Sequence, residues 1–335
     1  MADSTGERTV AVTAGSAFDL EIERAVFEGM DVRLQPVDVE STDDLIAELA
    51  NVDAVIDRLL AAPYTTDVID ALGQCAVIAR CGIGIDGIDV ERATERGILV
   101  SNVPVYCQDE VSEHAILLLL ALERTLVEYD AALKDGTWAQ ELPTQEIHRL
   151  RGQTMGLVAF GTIARLVAEK ARAFGMNVIA SDPYVDAGEM AEEGVEKIDF
   201  EELLRVADVV SLHAPLNEET KGIIDIDAFE RMKDSAVLIN VARGGLVVED
   251  DLVTALRQDE IGGAGLDVFE EEPANQRGEF TPFKSPLQEL ENVVLTPHIA
   301  WFSREADEDR RRTAAHDVRH VLEGGVPENV VNDPY

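Results

Sequence analysis

Short apolar segments alternate with helical stretches along most of the chain, and this alternation constrains the fold more than any other feature. The apolar segments form two series, and we interpret each segment as a β-strand. The first series comprises Thr9–Thr13, Val32–Leu34, Ala54–Ile56, Ala76–Arg80 and Leu99–Ser101. The second begins at Gly152 and comprises Met155–Phe160, Asn177–Ser181, Val209–Leu212, Ala236–Asn240, Gly262–Asp267 and Val293–Thr296. Because strands that alternate with helices form parallel sheets, the sequence predicts an α/β fold with doubly wound parallel sheets.

Several of the intervening helices have recognisable ends. Ser41 or Thr42 can cap a helix that continues to Leu49. A long helical stretch is predicted from Asp109 to Lys134, ended by Asp135-Gly136, and a polar helix from Ser303 to Leu322. With 335 residues, the chain is long enough for two domains of ordinary size.

The composition is strongly acidic. The chain has 66 Asp and Glu against 28 Lys and Arg, a net charge of −38, and only 6 of its basic residues are Lys. Nucleic-acid binding is excluded, because contact with phosphates needs basic patches. A charge of one sign spread along the chain repels itself unless salt screens it. The composition therefore indicates adaptation to a high-salt (halophilic) cytoplasm, with an ordinary acidic protein as the alternative.

Two further classes of protein are disfavoured. No apolar run approaches the ~20 residues that cross a bilayer, and the start of the chain lacks the basic and apolar regions of a secretory signal. Cys75, Cys81 and Cys107 show neither an even count nor a C-x-x-C spacing. We therefore expect a cytoplasmic protein with no membrane partner, no disulfide framework and no metal.

A dinucleotide fingerprint opens the second series. The segment Ala159–Ala164 follows a predicted strand and matches G-x-G-x-x-G/A, with Gly161 placed to let the backbone approach a pyrophosphate. Ala159 replaces the first glycine, so we expect a backbone conformation there that alanine tolerates. Asp182 lies 21 residues after Gly161, where a carboxylate binds ribose hydroxyls and repels a 2′-phosphate. The pattern predicts NAD(H) rather than NADP(H); an unliganded βα turn is the alternative.

Arg243, Glu272 and His298 each lie just beyond a predicted strand of the second series. In an open parallel sheet such positions converge on one crevice, where ligands bind. Arginine offers a planar fork for a carboxylate or a polarised carbonyl. Histidine exchanges a proton near neutral pH, and a neighbouring carboxylate stabilises its protonated form. Together the three are suited to the reduction of a 2-keto acid, although each taken singly could be a loop-bonding arginine, a solvated glutamate or a core histidine.

These segments resemble the D-isomer-specific 2-hydroxyacid dehydrogenases over nearly the full length of the chain. Arg80–Asp86, Asn102–Tyr106 and Pro297–Trp301 are most similar to the C-terminal-binding-protein-like branch of that family. The resemblance implies two flavodoxin/Rossmann-type domains, with a cofactor domain at 104–299 inserted into a discontinuous substrate domain at 1–103 and 300–335. The pattern alone predicts two consecutive domains, so the discontinuity depends on the resemblance.

The resemblance also implies roles for individual residues. Arg243 would bind the substrate carboxylate and carbonyl, His298 would be the acid/base, and Glu272 would pair with it. The predicted substrate pocket comprises Arg80, Ile83, Gly84, Tyr106 and Trp301, although the glycine turn can be structural and Trp301 a core residue. The predicted NAD(H) site comprises Val111, Ala159, Phe160, Gly161, Thr162, Ile163, Asp182, His213, Ala242 and Asp267.

A family member of this kind would interconvert a small 2-keto acid and its 2-hydroxy acid. It would form a homodimer through the helix at 109–134, which carries Leu117–Leu120; the alternative is that this helix belongs to the core of its own domain. The alternative from another class is an NAD(H)-sensing scaffold, since the C-terminal-binding-protein-like branch includes transcriptional corepressors. The enzyme is favoured because we find no added recognition segment. Glyoxylate, hydroxypyruvate, 3-phosphohydroxypyruvate and bulkier keto acids all remain open as substrates.

Overall fold

The computed structural model of the chain describes residues 6–13, 19–38, 41–59, 64–138, 147–273 and 282–334. The chain divides into two compact units. The first comprises Met1–Tyr106, Pro273–Pro282 and Ser303–Tyr335, and the second comprises Cys107–Glu272 and Phe283–Phe302, each as far as its residues are described. Within those residues, no helix is both long and apolar enough to cross a membrane.

The first unit is built around a five-stranded sheet with the order β2-β1-β3-β4-β5, in which all neighbours are parallel. Its strands are β1 (Arg8–Thr13), β2 (Val32–Val37), β3 (Ala54–Asp57), β4 (Val77–Arg80) and β5 (Leu99–Ser101). Strand β2 continues beyond its predicted end at Leu34 and includes Pro36. Because β2 is an edge strand, the missing N–H of this proline costs no internal ladder bond.

Five helices among the described residues accompany this sheet. They are α1 (Glu21–Val26), α2 (Thr42–Leu49), α3 (Thr66–Ala71), α4 (Val90–Glu95) and, near the end of the chain, α12 (Arg304–Leu322). Ser41 caps α2 by accepting a hydrogen bond from Asp44 N, and Ser303 caps α12 by accepting one from Ala306 N. Val318 of α12 belongs to the same buried apolar cluster as Val10 of β1, so the last helix completes the core of the first unit.

The second unit contains a seven-stranded parallel sheet with the order β12-β11-β10-β9-β6-β7-β8. Its strands are β6 (Thr154–Val158), β7 (Asn177–Ser181), β8 (Glu196–Lys197), β9 (Val209–Leu212), β10 (Val237–Asn240), β11 (Gly263–Leu266) and β12 (Val293–Leu295). The six predicted strands are present, and β8 is additional. It was missed because two polar residues at a sheet edge carry no apolar pattern. The predicted α/β class with doubly wound parallel sheets is confirmed.

The helix predicted from Asp109 to Lys134 is wrong as a single element. The structure has two helices there, α5 (Gln108–Glu123) and α6 (Leu126–Lys134). Between them Thr125 adopts a left-handed backbone with φ of 51°, which cannot continue a right-handed helix and which a β-branched residue rarely adopts. The other helices of this unit are α7 (Thr162–Ala173), α8 (Ala187–Glu192), α9 (Phe200–Val206), α10 (Ile226–Phe229) and α11 (Glu249–Arg257).

The strand order places a switch point between β6 and β9. From β6 the chain continues to β7 and β8 on one side of the sheet, and then returns to β9 on the other side. Open parallel sheets bind ligands beyond the carboxyl ends of the strands at such a point. The residues that follow β6, β9, β10, β11 and β12 therefore define the place to look for a site in this unit.

Candidate active site

The turn after β6 has the backbone of a dinucleotide fingerprint. Ala159 follows the strand with φ of 71°, and its N–H donates to Ser181 O at 2.9 Å. The expectation of an alanine-compatible conformation is therefore wrong, because the left-handed region is one that glycine adopts freely and alanine does not. Position 159 keeps the backbone of the missing glycine at the cost of strain.

The amino terminus of α7 begins without a side-chain cap. Gly161 is its N-cap and, having no side chain, does not cap the first-turn N–H groups, among them those of Thr162 and Ile163. A Cβ atom on Gly161 would meet nothing within 4 Å, so there is open space over this turn. Helix N-termini with free N–H groups bind phosphates. These residues fit the pyrophosphate of a dinucleotide.

Asp182 lies beyond β7 and is bonded to this turn. Its Oδ2 accepts a hydrogen bond from Phe160 N at 2.8 Å, and its Oδ1 accepts one from Tyr184 N at 2.7 Å. The residue is 8% exposed. In the structure, the carboxylate therefore ties β7 to the phosphate turn, and its predicted contact with a ribose stays a prediction. An ionised carboxylate offers about four acceptor positions, so these bonds leave capacity for a ligand hydroxyl.

His213 follows β9 on the other side of the switch point. Its N–H donates to Val158 O at 2.9 Å, and its Nε2 lies 2.9 Å from Ser211 Oγ. Burial lowers the pKa of His213 to about 4, because an imidazolium is poorly solvated there. This ring is therefore neutral at neutral pH, and it is suited to lining an uncharged part of a ligand rather than to donating a proton.

Asp267 directly follows β11 and organises the loop after β12. Its Oδ1 accepts hydrogen bonds from Thr296 Oγ1 at 2.6 Å and Ile299 N at 2.9 Å, and its Oδ2 accepts one from Ala300 N at 2.8 Å. The side chain is fully buried, and a buried carboxylate is stable when several donors compensate its charge. Its predicted contact with NAD(H) stays a prediction, since the structure shows Asp267 as the anchor of this loop.

His298 and Glu272 come together at the end of this loop. His298 Nδ1 lies 2.7 Å from Glu272 Oε2, and both side chains are partly exposed. His298 has φ of 52°, and its N–H donates to Asp267 O at 2.7 Å. Because Nδ1 faces the carboxylate, Nε2 is the ring nitrogen left to exchange a proton with a ligand. The predicted pairing of an imidazole and a carboxylate is therefore present in the structure.

The Arg243 loop lies against the loop that carries Glu272. Asn240 holds its backbone, since Asn240 Nδ2 donates to Arg243 O at 2.9 Å and Asn240 Oδ1 accepts from Ala242 N at 3.1 Å. A Cβ atom on Gly244 would fall 1.8 Å from Phe269 O, so only glycine permits this approach. Arg243 Nη1 donates to Ala242 O at 2.7 Å. Arg243 is partly buried, and its predicted contact with a substrate stays a prediction.

The other predicted pocket residues have structural contacts of their own. In the first unit, Arg80 Nη1 lies 2.5 Å from Asp57 Oδ2, and Arg80 Nε donates to Gly84 O at 3.3 Å. Ile83 O accepts from Asn102 Nδ2 at 2.7 Å, and Tyr106 packs against the apolar core. Arg80 therefore stabilises the glycine turn, as the structural interpretation expects.

Two predicted residues of the second unit are buried. Trp301 is 8% exposed, and its Nε1 donates to His298 O at 3.0 Å, so it supports the His298 loop. Val111 lies in the first turn of α5 and is also buried. A substrate or cofactor contact for either residue stays a prediction.

Sequence reasoning missed Asn240, Thr296 and His114. Asn240 and Thr296 are the last residues of the predicted strands Ala236–Asn240 and Val293–Thr296, and a polar side chain at the end of an apolar strand was the available signal. His114 lies within the apolar helix α5, and only the fold brings its Nε2 to 2.9 Å from Thr296 Oγ1.

The segment that carries this site matches a known protein family. Residues 116–300 match the model of the D-isomer specific 2-hydroxyacid dehydrogenase, NAD binding domain. The chain belongs to the D-isomer specific 2-hydroxyacid dehydrogenase family. The family expected from the sequence is thereby confirmed, and the matched segment includes the phosphate turn, Arg243, Glu272 and His298.

Relatives that are similar over most of this chain support the same assignment. D-3-phosphoglycerate dehydrogenase of Mycobacterium leprae is 38% identical, over 91% of this chain and 56% of its own length. Glyoxylate reductase of Thermococcus litoralis is 36% identical, over 86% of each chain. The chain thus spans 54–56% of the length of the bacterial and archaeal phosphoglycerate dehydrogenases that it matches.

Solved structures share the fold of this chain. The TT0316 protein of Thermus thermophilus has a TM-score of 0.84 and 34% identity, over 97% of this chain and 100% of that one. A D-lactate dehydrogenase from Aquifex aeolicus, complexed with NAD and lactic acid, has a TM-score of 0.85 and 27% identity over the same shares.

Proposed function

We propose that the protein is an NAD-dependent D-2-hydroxyacid dehydrogenase, which interconverts a small 2-keto acid and its 2-hydroxy acid. The observation that carries the proposal is the His298–Glu272 pair, 2.7 Å apart beyond neighbouring strands of an NAD-binding domain. A histidine held by a carboxylate at a ligand crevice is suited to acid/base catalysis. Bound NAD(H) would supply or accept the hydride.

The three charged residues would divide the remaining chemistry. In the direction of reduction, His298 Nε2 would donate a proton to the carbonyl oxygen. Glu272 would hold the ring so that Nε2 is left to face the substrate. The guanidinium of Arg243 would bind the substrate carboxylate and polarise the carbonyl. The hydrogen bond from Asn240 Nδ2 to Arg243 O supports this role, because it fixes the backbone that carries the Arg243 side chain.

We assign the cofactor to the second unit and the substrate residues Arg80, Ile83, Gly84 and Tyr106 to the first, with the boundaries near 103/104 and 299/300. The pyrophosphate would lie at the amino terminus of α7 and the ribose beside Asp182. NADH should be preferred over NADPH, because the Asp182 carboxylate repels a 2′-phosphate. Equal or better kcat/KM with NADPH at fixed high salt would remove the support for this role of Asp182.

The substrate class is tested by NADH oxidation with a panel of 2-keto acids in molar KCl. Phosphoglycerate dehydrogenase and glyoxylate reductase relatives make 3-phosphohydroxypyruvate, hydroxypyruvate and glyoxylate the first compounds to assay. Turnover of at least one of them supports the proposal. If purified protein binds NADH but reduces none of a broad panel, the NAD(H)-sensing scaffold becomes the better account.

We also propose a homodimer in which α6 takes part. Within the described residues α6 has no buried side chain, and Leu126, Val127 and Leu133 are each more than half exposed. Exposed apolar patches of this kind mark interfaces. Sedimentation of the protein in molar KCl should give a mass twice that of the chain. By contrast, Leu118 and Leu119 of α5 are buried in the unit itself, so they support its core instead.

The acidic composition supports a further proposal, that the protein works in a high-salt cytoplasm. The closer similarity to the C-terminal-binding-protein-like branch stays a prediction, and no contact among the described residues favours the scaffold over the enzyme.

A further inference from the structure

His114 lies beneath the loop that carries His298. The imidazole belongs to α5, and its side chain is 13% exposed. His114 Nε2 lies 2.9 Å from Thr296 Oγ1 and 3.6 Å from Asp267 Oδ1. The same carboxylate receives the backbone N–H groups of Ile299 and Ala300, directly beyond His298. A helix, a strand end and the loop therefore meet at one buried hydrogen-bond network.

The chemistry of these groups fixes the direction of each hydrogen bond. Thr296 Oγ1 donates its only hydroxyl proton to Asp267 Oδ1 at 2.6 Å, because an ionised carboxylate can only accept. His114 Nε2 must then donate to the Thr296 oxygen. Burial lowers the pKa of His114, although the nearby Asp267 opposes the shift. The ring is therefore neutral, with its proton on Nε2.

We propose that His114 is a positioning residue for His298. The His114 N–H orients the Thr296 hydroxyl, and the hydroxyl holds Asp267 Oδ1. Asp267 in turn holds the loop in which His298 adopts its left-handed backbone. The inference rests on the proposed role of His298 as acid/base, because a displaced loop matters for turnover only if His298 takes part in it.

Loss of the His114 donor has a specific consequence. Thr296 Oγ1 loses one of its two hydrogen-bond partners, so its side chain is held less firmly against Asp267 Oδ1. A strained backbone such as that of His298 persists only when its surroundings over-determine it. Misplacement of a reacting group by about 1 Å can lower the rate by about 100-fold. We therefore expect a lower kcat with little change in the KM for the keto acid.

The matched pair His114→Gln and His114→Asn tests the role of the Nε2 donor. The side-chain nitrogen of Gln reaches the place of His Nε2, whereas that of Asn reaches the place of Nδ1. His114→Gln should keep kcat within about threefold of wild type, and His114→Asn should lower it by about 10- to 100-fold. Thermal melting of both variants identifies any loss of the fold. Equal kcat for the two variants, whether high or low, overturns the proposal.

A second pair of variants changes Thr296, the next residue of the hydrogen-bond network, and leaves α5 unaltered. Thr296→Ser keeps the hydroxyl and should resemble wild type, whereas Thr296→Val removes it and should match His114→Asn. In the double variant His114→Asn/Thr296→Val the losses should not add, because both changes break one chain of bonds. Additive losses overturn the proposal.

His298→Ala separates this inference from the proposed function. If His298→Ala is inactive while the His114 and Thr296 variants turn over normally, only the positioning role is rejected. If His298→Ala reduces keto acids normally, the proposed function itself fails, and the positioning role falls with it.

Discussion

Two residues of the site hold a left-handed backbone without being glycine, and each is held differently. His298, with φ of 52°, is fixed on both sides, because Asp267 accepts hydrogen bonds from His298 N, Ile299 N and Ala300 N. Ala159, with φ of 71°, is held by a backbone bond to Ser181 O. At His298 the left-handed backbone sets the position of the imidazole. At Ala159 it keeps the turn conformation that the first glycine of the fingerprint would have.

The first prediction concerns Ala159. A left-handed backbone costs an alanine about 1–2 kcal/mol, and a glycine at position 159 would remove this cost. The greater freedom of glycine in the unfolded chain offsets part of that stabilisation. Ala159→Gly should therefore raise the free energy of unfolding by about 0.5–1 kcal/mol. The measurement is denaturant unfolding in molar KCl, with NADH affinity as a second readout. A variant that is less stable than wild type would show that φ at this position is not positive.

The second prediction uses the pH dependence of stability. His213 has a pKa of about 4 in the folded protein and an ordinary value near 6.5 when unfolded. The unfolded chain therefore binds more protons between these values. The contribution of neutral His213 to the free energy of unfolding is fully present above about pH 6.5. It is lost as the pH falls toward 4 and is on the order of 2 kcal/mol for this partly exposed ring.

The control is His213→Gln, which cannot titrate. Unfolding should be measured from pH 7 to pH 4 at constant molar KCl for both proteins. Wild type should lose more stability over this range than the variant does, since all other groups are shared. Parallel pH profiles would contradict a His213 imidazole whose pKa is lowered in the folded protein.

At the scale of elements, the strands were predictable from the sequence, whereas one helix break and one contact between a helix and a strand end were not. The period of the apolar pattern predicted every strand that ends in the site, and the parallel sheet predicted that Glu272 and His298 converge on one crevice. Their direct pairing was implied only by the family resemblance. Thr125 was unpredictable, because it breaks a helix without the glycine or proline that usually marks such a break. The contact of His114 with Thr296 was also not predictable, since the sequence pattern of α5 is apolar and only the packing of this helix brings the two side chains together.

The third prediction tests the approach of the β10 and β11 loops. The Cβ atom of Gly244→Ala would lie 1.8 Å from Phe269 O, a backbone atom that cannot move alone. The substitution should force the Arg243 and Glu272 loops apart and reduce kcat/KM by at least about 100-fold. Gly245→Ala is the matched control, because the atoms nearest to its Cβ belong to the flexible side chain of Leu216, the first at 3.1 Å. Similar activity of the two variants would show that the loops do not pack as described.

At the scale of the whole molecule, the net charge predicts that the stability of the fold depends on salt. The net charge of −38 is shared by only 335 residues. Surface ion pairs offset little of it, because exposed pairs contribute about 1 kcal/mol or less. This prediction follows from composition alone, since repulsion depends on the total charge and not on contacts.

The fourth prediction is that stability requires salt. The Debye length falls from ~10 Å at 0.1 M to ~3 Å at 1 M, which screens repulsion between surface carboxylates. The melting temperature should rise steeply as KCl increases over this range. Sucrose at matched osmolality is the control for general solvent effects, and it should give a smaller increase. A melting temperature that does not change with KCl would reject the high-salt proposal.

The central claim is that His298, held by Glu272, is the acid/base of a 2-keto acid reductase. The most direct measurement is kcat of His298→Ala with the best keto acid in molar KCl, beside NADH affinity and beside His316→Ala, which removes an exposed histidine of α12. We predict that His298→Ala lowers kcat by about 10²–10⁴-fold with NADH affinity retained, and that His316→Ala matches wild type. Near-normal reduction by His298→Ala would contradict the account.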